Sequence, residues 1–565
     1  MSRRQSATAW VALSATVLAV AGSVTWAAMR PNPADASVTL GPSATPSASP
    51  APTPSPQPFP AMPAGDGEWL ANTPSLSVVE PMLSWGPTLR DWTRARATAE
   101  SLTTEEAAGQ VIVAQWNSTD AEGAADLVED LGLGGIIVMG NAVDDAEQVS
   151  ALTSAISEAG GDRDWGTVVS VDEEGGTVSR LRGVLPGMPG FMAAGATRDK
   201  AAVTEAYTQQ AVDLEGLGFT MDFAPVADVT QGPSDPVIRS RAAGDDPQRV
   251  AATVNAAVDG YVASGIVPVA KHFPGHGSVD VDSHEGLPIQ DASIAELEKF
   301  DLIPFASAID AGVPAVMMSH IAVEEWGSKP ASLDPKAYAY LRNELNFTGL
   351  AITDALNMGA IQEDNDPGDA AVAALAAGAD VLLLPPSPQA ARDAIIEAVE
   401  SGDLDRSRLT DAAARMILAG RWRAELDSVE DTGAGYAHDL AIAGATVATG
   451  RCGGPLIGDS VSISGGSEGN RAALAKALTE RGVSVGETGT SIGLAGADTS
   501  SPTADVVVAL RGPWGLENAT ASVYVGLYGT SGSSINALAD VLTGEAEPGG
   551  DWPVALDLPV PVCGK

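Results

Sequence analysis

Ile266-Val267-Pro268-Val269-Ala270-Lys271-His272-Phe273-Pro274-Gly275-His276-Gly277 begins as an apolar run and ends in a turn crowded with titratable side chains. The apolar half has the length and continuity of a strand buried on both faces, as in a parallel sheet. The polar half, continued by Asp280, Asp282, Ser283 and His284, therefore lies where such a strand opens into a long loop. In an α/β barrel that rim carries catalysis. Three of the chain's five histidines fall in this one block, more chemistry than a connecting loop requires.

Seven further runs have the same character: Val111–Ala114, Gly135–Met139, Thr167–Val171, Phe219–Phe223, Ala315–Met318, Gly349–Thr353 and Asp380–Leu384. Between them lie Ala-rich stretches with helical spacing, such as Ala146–Glu158, Ala201–Leu217, Gln248–Ser264, Ile294–Ala311 and Pro388–Ser401. Eight strand–helix repeats predict a closed (β/α)8 TIM-type barrel over residues 66–428. An open doubly wound sheet is the second choice, because no glycine-rich phosphate turn follows a strand. Residues 429–565 predict a smaller α/β sandwich domain. Its expected strands are Val461–Ser464, Asp505–Leu510 and Ser522–Leu527, with helices Asn470–Arg481 and Ile535–Leu542. The turn Gly465-Gly466-Ser467-Glu468-Gly469 lacks the full dinucleotide fingerprint and reads as structural.

The chain has 565 residues and a formal net charge of −42, so a phosphate backbone is repelled and nucleic acid is excluded as a partner. Arg3-Arg4 precedes an apolar stretch from Ala7 to Met29, and Ala34-Asp35-Ala36 offers a small-residue cleavage pattern. Residues 1–36 are thus expected to be a signal peptide or a retained membrane anchor. Residues 37–65, rich in Pro, Ser and Ala, are expected to form an extended linker. Anchor, stalk and body predict an extracytoplasmic protein, secreted or membrane-anchored, working at a cell wall as a monomer. The only cysteines, Cys452 and Cys563, are available to pair in such an oxidising compartment.

Polar groups recur where the expected strands end: Asp172, Asp222 with Asp228, Lys271-His272, Ser319-His320 and Asp354. Contributions from segments so far apart describe one polar pocket on one rim. Two groups acting on an acetal is the economical reading. Asp354 is the candidate nucleophile at an anomeric carbon, and a second group must protonate the leaving oxygen and later deprotonate water. Asp282 and His284, one residue apart, share a face of an extended loop and can form a carboxylate–imidazole pair that favours the imidazolium.

A metal site is the rival reading, since His272 and His276 have H-x3-H spacing and Asp282 and His284 could add ligands. Phe273-Pro274-Gly275 breaks any helix that would align those rings, so neither metal nor cofactor is expected. His276 has a structural alternative, hydrogen bonding within its own loop. His320 belongs either to the pocket or to the barrel wall, and His438 lies outside the barrel pattern.

The block Lys271 to Gly277 followed by Asp282-Ser283-His284 resembles the signature of the glycoside hydrolase family 3 β-N-acetylglucosaminidases. The resemblance extends to Asp172-Glu173-Glu174-Gly175-Gly176, Phe223-Ala224-Pro225-Val226-Ala227-Asp228, Arg241 before Gly244-Asp245-Asp246-Pro247, and Ile352-Thr353-Asp354-Ala355-Leu356. It covers about residues 97 to 420, with a weaker likeness in the second domain. It implies a retaining, two-step release of terminal N-acetylglucosamine from peptidoglycan fragments or chitooligosaccharides. Asp354 would be the nucleophile and His284, paired with Asp282, the acid/base. Asp172, Arg241, Lys271 and His272 would hold the sugar. Glu173, Thr177 and Val237-Ile238-Arg239-Ser240 depart from the family's usual residues and bear on fine specificity. The alternatives are a β-glucosidase-type or phosphorolytic family 3 enzyme, or an inactive wall-glycan binder.

Overall fold

Each of the eight apolar runs becomes a strand, and their order around the sheet follows the chain. The strands are β1 (Ile112–Trp116), β2 (Gly135–Val138), β3 (Val168–Val171), β4 (Met221–Asp222), β5 (Val267–Phe273), β6 (Ala315–Met318), β7 (Leu350–Thr353) and β8 (Leu382–Leu383). They run β7-β6-β5-β4-β3-β2-β1-β8, and every neighbouring pair is parallel. A bridge between Ile352 and Val381, with the Thr353 N–H donating to the Val381 carbonyl at 3.0 Å, joins the two ends and closes a (β/α)8 barrel. These coordinates are a computed structural model describing residues 82–362, 366–426, 429–433 and 435–563. The expected signal or anchor and the linker lie outside the described residues. Among the described residues no helix is long and apolar enough to cross a membrane.

One buried carboxylate reinforces the closure. Asp380, at the foot of β8, accepts from Arg342 at 2.5 Å, from Arg408 at 2.9 Å and from the Ala351 N–H at 3.0 Å. Burial alone would raise its pKa, but Arg342, Arg415 and Arg408 together hold it below the ordinary carboxylate value.

The helices start where side chains can cap them. Asp145 caps Ala146–Glu158, Asp199 caps Lys200–Gly216, Asp246 caps Pro247–Ala263 and Ser387 caps Pro388–Ser401. The helix expected over 294–311 is instead two, Ile294–Leu297 and Leu302–Asp310. Pro304 cannot donate to a preceding carbonyl and fits only a first turn, so the helix restarts just before it.

The second sheet comprises β9 (Thr446–Thr449), β10 (Ser460–Gly465), β11 (Ser484–Val485), β12 (Thr490–Ala495), β13 (Val506–Ala509) and β14 (Val523–Gly526), in the order β9-β14-β13-β12-β10-β11. Only β9 is antiparallel to its neighbour. The helices Glu468–Glu480 and Gly532–Thr543 accompany it. Cys452 and Cys563 form a disulfide with their Cα atoms 5.5 Å apart. The barrel and this domain form one compact unit. The helix Tyr436–Gly444 packs on Phe191–Ala196 and Lys200–Gly216 of the barrel, and Trp514 and Tyr528 bury against Met192 and Ala193.

Candidate active site

The end of β5 breaks strand alternation. Its pairing with β6 shifts register between Ala270 and Phe273, and the consecutive residues Lys271 and His272 both reach the same cluster of side chains. Lys271 Nζ lies 2.9 Å from Asp172 and 2.6 Å from Glu174, in a nearly dry site where its side chain is 3% exposed. Arg241 grips Glu174 with both ends of its fork, at 2.9 and 2.8 Å, and approaches His272 Nε2 at 3.5 Å. Burial would push Glu174 up, but Arg241 and Lys271 hold it ionised, well below the usual carboxylate range. Burial would likewise lower Lys271, and Asp172 and Glu174 reverse it, so the amine stays charged.

Asp172, Arg241, Lys271 and His272 therefore share one hydrogen-bonded cluster. Its hub is Glu174, which the sequence reading quoted only as part of a motif. An acidic residue between two cations is hard to recognise until the fold brings positions 174, 241 and 271 together. Asp228 has a similar hidden role. It receives His272 Nδ1 at 2.7 Å, and the backbone N–H groups of His272 and His276 at 3.2 and 2.6 Å. Asp222 is placed differently from its sequence reading. It is fully buried beneath the pocket, accepting the Glu173 N–H at 2.9 Å and contacting the Tyr261 hydroxyl at 2.9 Å.

Asp354 follows β7 directly. Its N–H donates to the Met318 carbonyl at 2.8 Å, and its Oδ1 accepts the Ala355 N–H at 2.7 Å. Burial opposes its charge, but His320, His272, the Ala355 N–H and Lys271 outweigh burial and lower its pKa. The carboxylate is thus ionised, as a nucleophile must be. His320 is fully buried and holds this turn. Its Nε2 lies 2.9 Å from the Ala355 carbonyl and its Nδ1 2.7 Å from Ser332 Oγ. Nε2–H donates to the carbonyl, the Ser332 hydroxyl can meet either state of Nδ1, and burial lowers the pKa of His320 against the opposing pull of Asp354.

Asp282 and His284 form the expected pair, Oδ1 to Nδ1 at 2.7 Å, with the His284 N–H also donating to that oxygen at 2.9 Å. Burial would raise Asp282, but the two hydrogen bonds from His284 lower it, so an ionised carboxylate faces the ring. The ring itself is 62% exposed and free to meet a ligand. Its loop is tied to the segment after Asp354: Gly359 and Ala360 donate N–H groups to the His284 and Ser283 carbonyls, both at 3.3 Å. His272 and His276 stand edge to face, 6.0 Å apart, each bound to its own partner. Among the described residues no group of His, Cys, Asp or Glu is arranged to hold a metal.

The sequence profile of the glycosyl hydrolase family 3 N-terminal domain matches residues 103–419, the whole barrel. The chain belongs to glycosyl hydrolase family 3. It is a glycoside hydrolase in which the family's barrel is followed by a second domain. Beta-hexosaminidase A of Pseudoalteromonas piscicida is 31% identical over 321 residues, covering 52% of this chain and 54% of that relative. The chain thus spans about half that relative's length. Beta-hexosaminidase LpqI of Mycobacterium tuberculosis is 34% identical over 307 residues, 53% of this chain and 78% of the relative. Among solved structures, a family 3 β-N-acetylglucosaminidase from Paenibacillus sp. superposes with a TM-score of 0.71 at 28% identity. That match covers 81% of this chain and 100% of the other, so the likeness extends beyond the barrel.

Proposed function

We propose that this family 3 enzyme is a retaining exo-β-N-acetylglucosaminidase, exported to act on peptidoglycan fragments or chitooligosaccharides. The observation carrying this reading is the Asp282–His284 pair, hydrogen-bonded at 2.7 Å on a loop tied to the segment after Asp354. Relatives named for hexosaminidase activity support the sugar class.

In the first step an Asp354 oxygen attacks the anomeric carbon. The His284 imidazolium gives its proton to the departing glycosidic oxygen, leaving a glycosyl ester on Asp354. In the second, neutral His284 takes a proton from water, the hydroxyl adds to the anomeric carbon, and the ester bond breaks. Sugar, ionised Asp354 and imidazolium are restored. Asp282 keeps the ring oriented and stabilises the imidazolium. Asp172, Arg241, Lys271 and His272 hold the sugar's hydroxyls and N-acetyl group, which fixes the anomeric carbon over Asp354.

The test is Asp354→Asn assayed with an aryl N-acetylglucosaminide beside the matching glucoside, and product analysis on muropeptides and chitobiose with and without phosphate. Release of the amino-sugar product by the parent protein and its loss by a factor of at least about 10³ in the variant is expected. Undiminished turnover by Asp354→Asn would refute the mechanism, and preference for the glucoside would refute the sugar assignment. A glycosyl phosphate product would replace hydrolysis by phosphorolysis.

A further inference from the structure

His276 is the one histidine of the block that the two-step reaction does not use, yet it is among the most enclosed, 2% exposed. Its Nε2 lies 2.7 Å from Ser283 Oγ, while its Nδ1 is buried without a hydrogen-bond partner. Its own backbone N–H is fixed to Asp228, the residue that also fixes His272. Gly277 next to it passes so close to the Val229 carbonyl that a Cβ there would lie 2.0 Å from the oxygen, so the turn has little room to shift. The ring is therefore closely held on the pocket wall, and its one polar contact reaches across to the loop that carries Asp282 and His284.

Ser283 is that contact, and it stands between Asp282 and His284. It is 1% exposed although its loop neighbours are much more open. Burial, then the neighbouring His272, lower the pKa of His276, leaving a neutral ring with one proton. With Nδ1 unpartnered, placing that proton on Nε2 leaves a bare acceptor rather than a bare N–H in the interior, and the ring then donates to Ser283.

We infer that the His276–Ser283 hydrogen bond is a latch that positions the Asp282–His284 pair over the glycosyl centre. His276 and Ser283 are positioning residues and touch no reacting atom. The inference rests on the acid/base role proposed for His284. Proton transfer requires the imidazole within hydrogen-bond reach of the glycosidic oxygen or the attacking water, so a freed loop slows the proton-transfer steps selectively.

The experiment uses the full chain and a dinitrophenyl N-acetylglucosaminide, whose leaving group departs without a proton. Its kcat/KM then reports glycosylation and its kcat reports deglycosylation. Ser283→Ala is expected to lower kcat about tenfold while changing kcat/KM less than about twofold, and added azide should restore kcat. His276→Gln, which keeps a donor on the ring's side, should lie between parent and Ser283→Ala. A melting curve of Ser283→Ala checks that the variant is folded. An unchanged kcat in Ser283→Ala, or an equal fall of kcat and kcat/KM without azide rescue, overturns the latch. His284→Ala separates the two failures. If azide rescues it while Ser283→Ala behaves as the parent, the acid/base reading stands and the latch fails. If His284→Ala is neither step-selective nor rescued, the reading falls and the latch with it.

Discussion

Gly359 and His284 meet backbone to backbone: the Gly359 N–H donates to the His284 carbonyl at 3.3 Å, and a Cβ at 359 would lie 2.6 Å from that oxygen. The close approach of the β5 loop to the segment after β7 at this point requires that position 359 has no side chain. Gly359→Ala must displace the carbonyl of the residue that carries the imidazole. A fall in kcat of about tenfold is expected, with overpacking costing about 1–3 kcal/mol of stability. Steady-state kinetics and melting of the variant check both, and a parent-like kcat would mean that the loop position is set elsewhere.

Glu174 gives a second prediction. Its carboxylate is shared by Arg241 and Lys271, and Asp172 is the second acceptor for Lys271. Glu174→Gln leaves buried positive charge partly uncompensated, a change that costs about 3–5 kcal/mol when one partner of a buried pair is lost. Both cations, which are proposed to bind the sugar, should also drift, so KM for the N-acetylglucosaminide is expected to rise more than kcat falls. Denaturant unfolding and kinetics test this, and a variant as stable as the parent would contradict the assigned hub role.

The barrel was legible because its strands lie in short apolar runs, several ending at a polar residue such as Asp172, Lys271 or Asp354, and many of its helices open on a capping side chain such as Asp145 or Asp246. The Asp282–His284 hydrogen bond and the position of Asp354 at the end of β7 were legible because local spacing sets them. The hub role of Glu174 was not, and Asp228 was read only as a rim carboxylate, since their partners lie 67 and 44 residues away. Asp222 misled for the complementary reason. It ends a strand like the others, but Tyr261 and the Glu173 backbone close over it. In the second domain, β12 carries Ser491 and Gly493 within Thr-Ser-Ile-Gly-Leu-Ala, and this dilutes the apolar pattern that marks a strand.

The disulfide supports a third prediction. Cys563 belongs to a tail that pairs with β9, its N–H donating to the Val447 carbonyl at 2.9 Å, and its carbonyl accepts from Arg198 of the barrel at 3.2 Å. Cys452→Ser removes a closure spanning 111 residues, which in the chain-entropy account stabilises by roughly 4–5 kcal/mol. The melting temperature should fall in the variant and in the parent under reductant, while kcat at 25 °C is unchanged. Equal melting temperatures with and without reductant would show that the tail's hydrogen bonds suffice.

Asp222 gives the pH dependence of stability. Burial first, and the nearby Glu173 charge, raise its pKa to about 8, against the opposing hydrogen bonds from Glu173 N–H and Tyr261. Between about pH 4 and pH 8 the unfolded chain has released this proton and the folded chain has not, so the folded state loses relative stability as pH rises. Asn at this position offers an acceptor to the Glu173 N–H and a donor to Tyr261 without a proton to lose. The advantage of Asp222→Asn over the parent should therefore grow from pH 5 to pH 8, each pH unit adding about 1.4 kcal/mol. Urea unfolding at a series of pH values measures it. A difference that stays constant across that range would mean that Asp222 is already ionised in the folded enzyme.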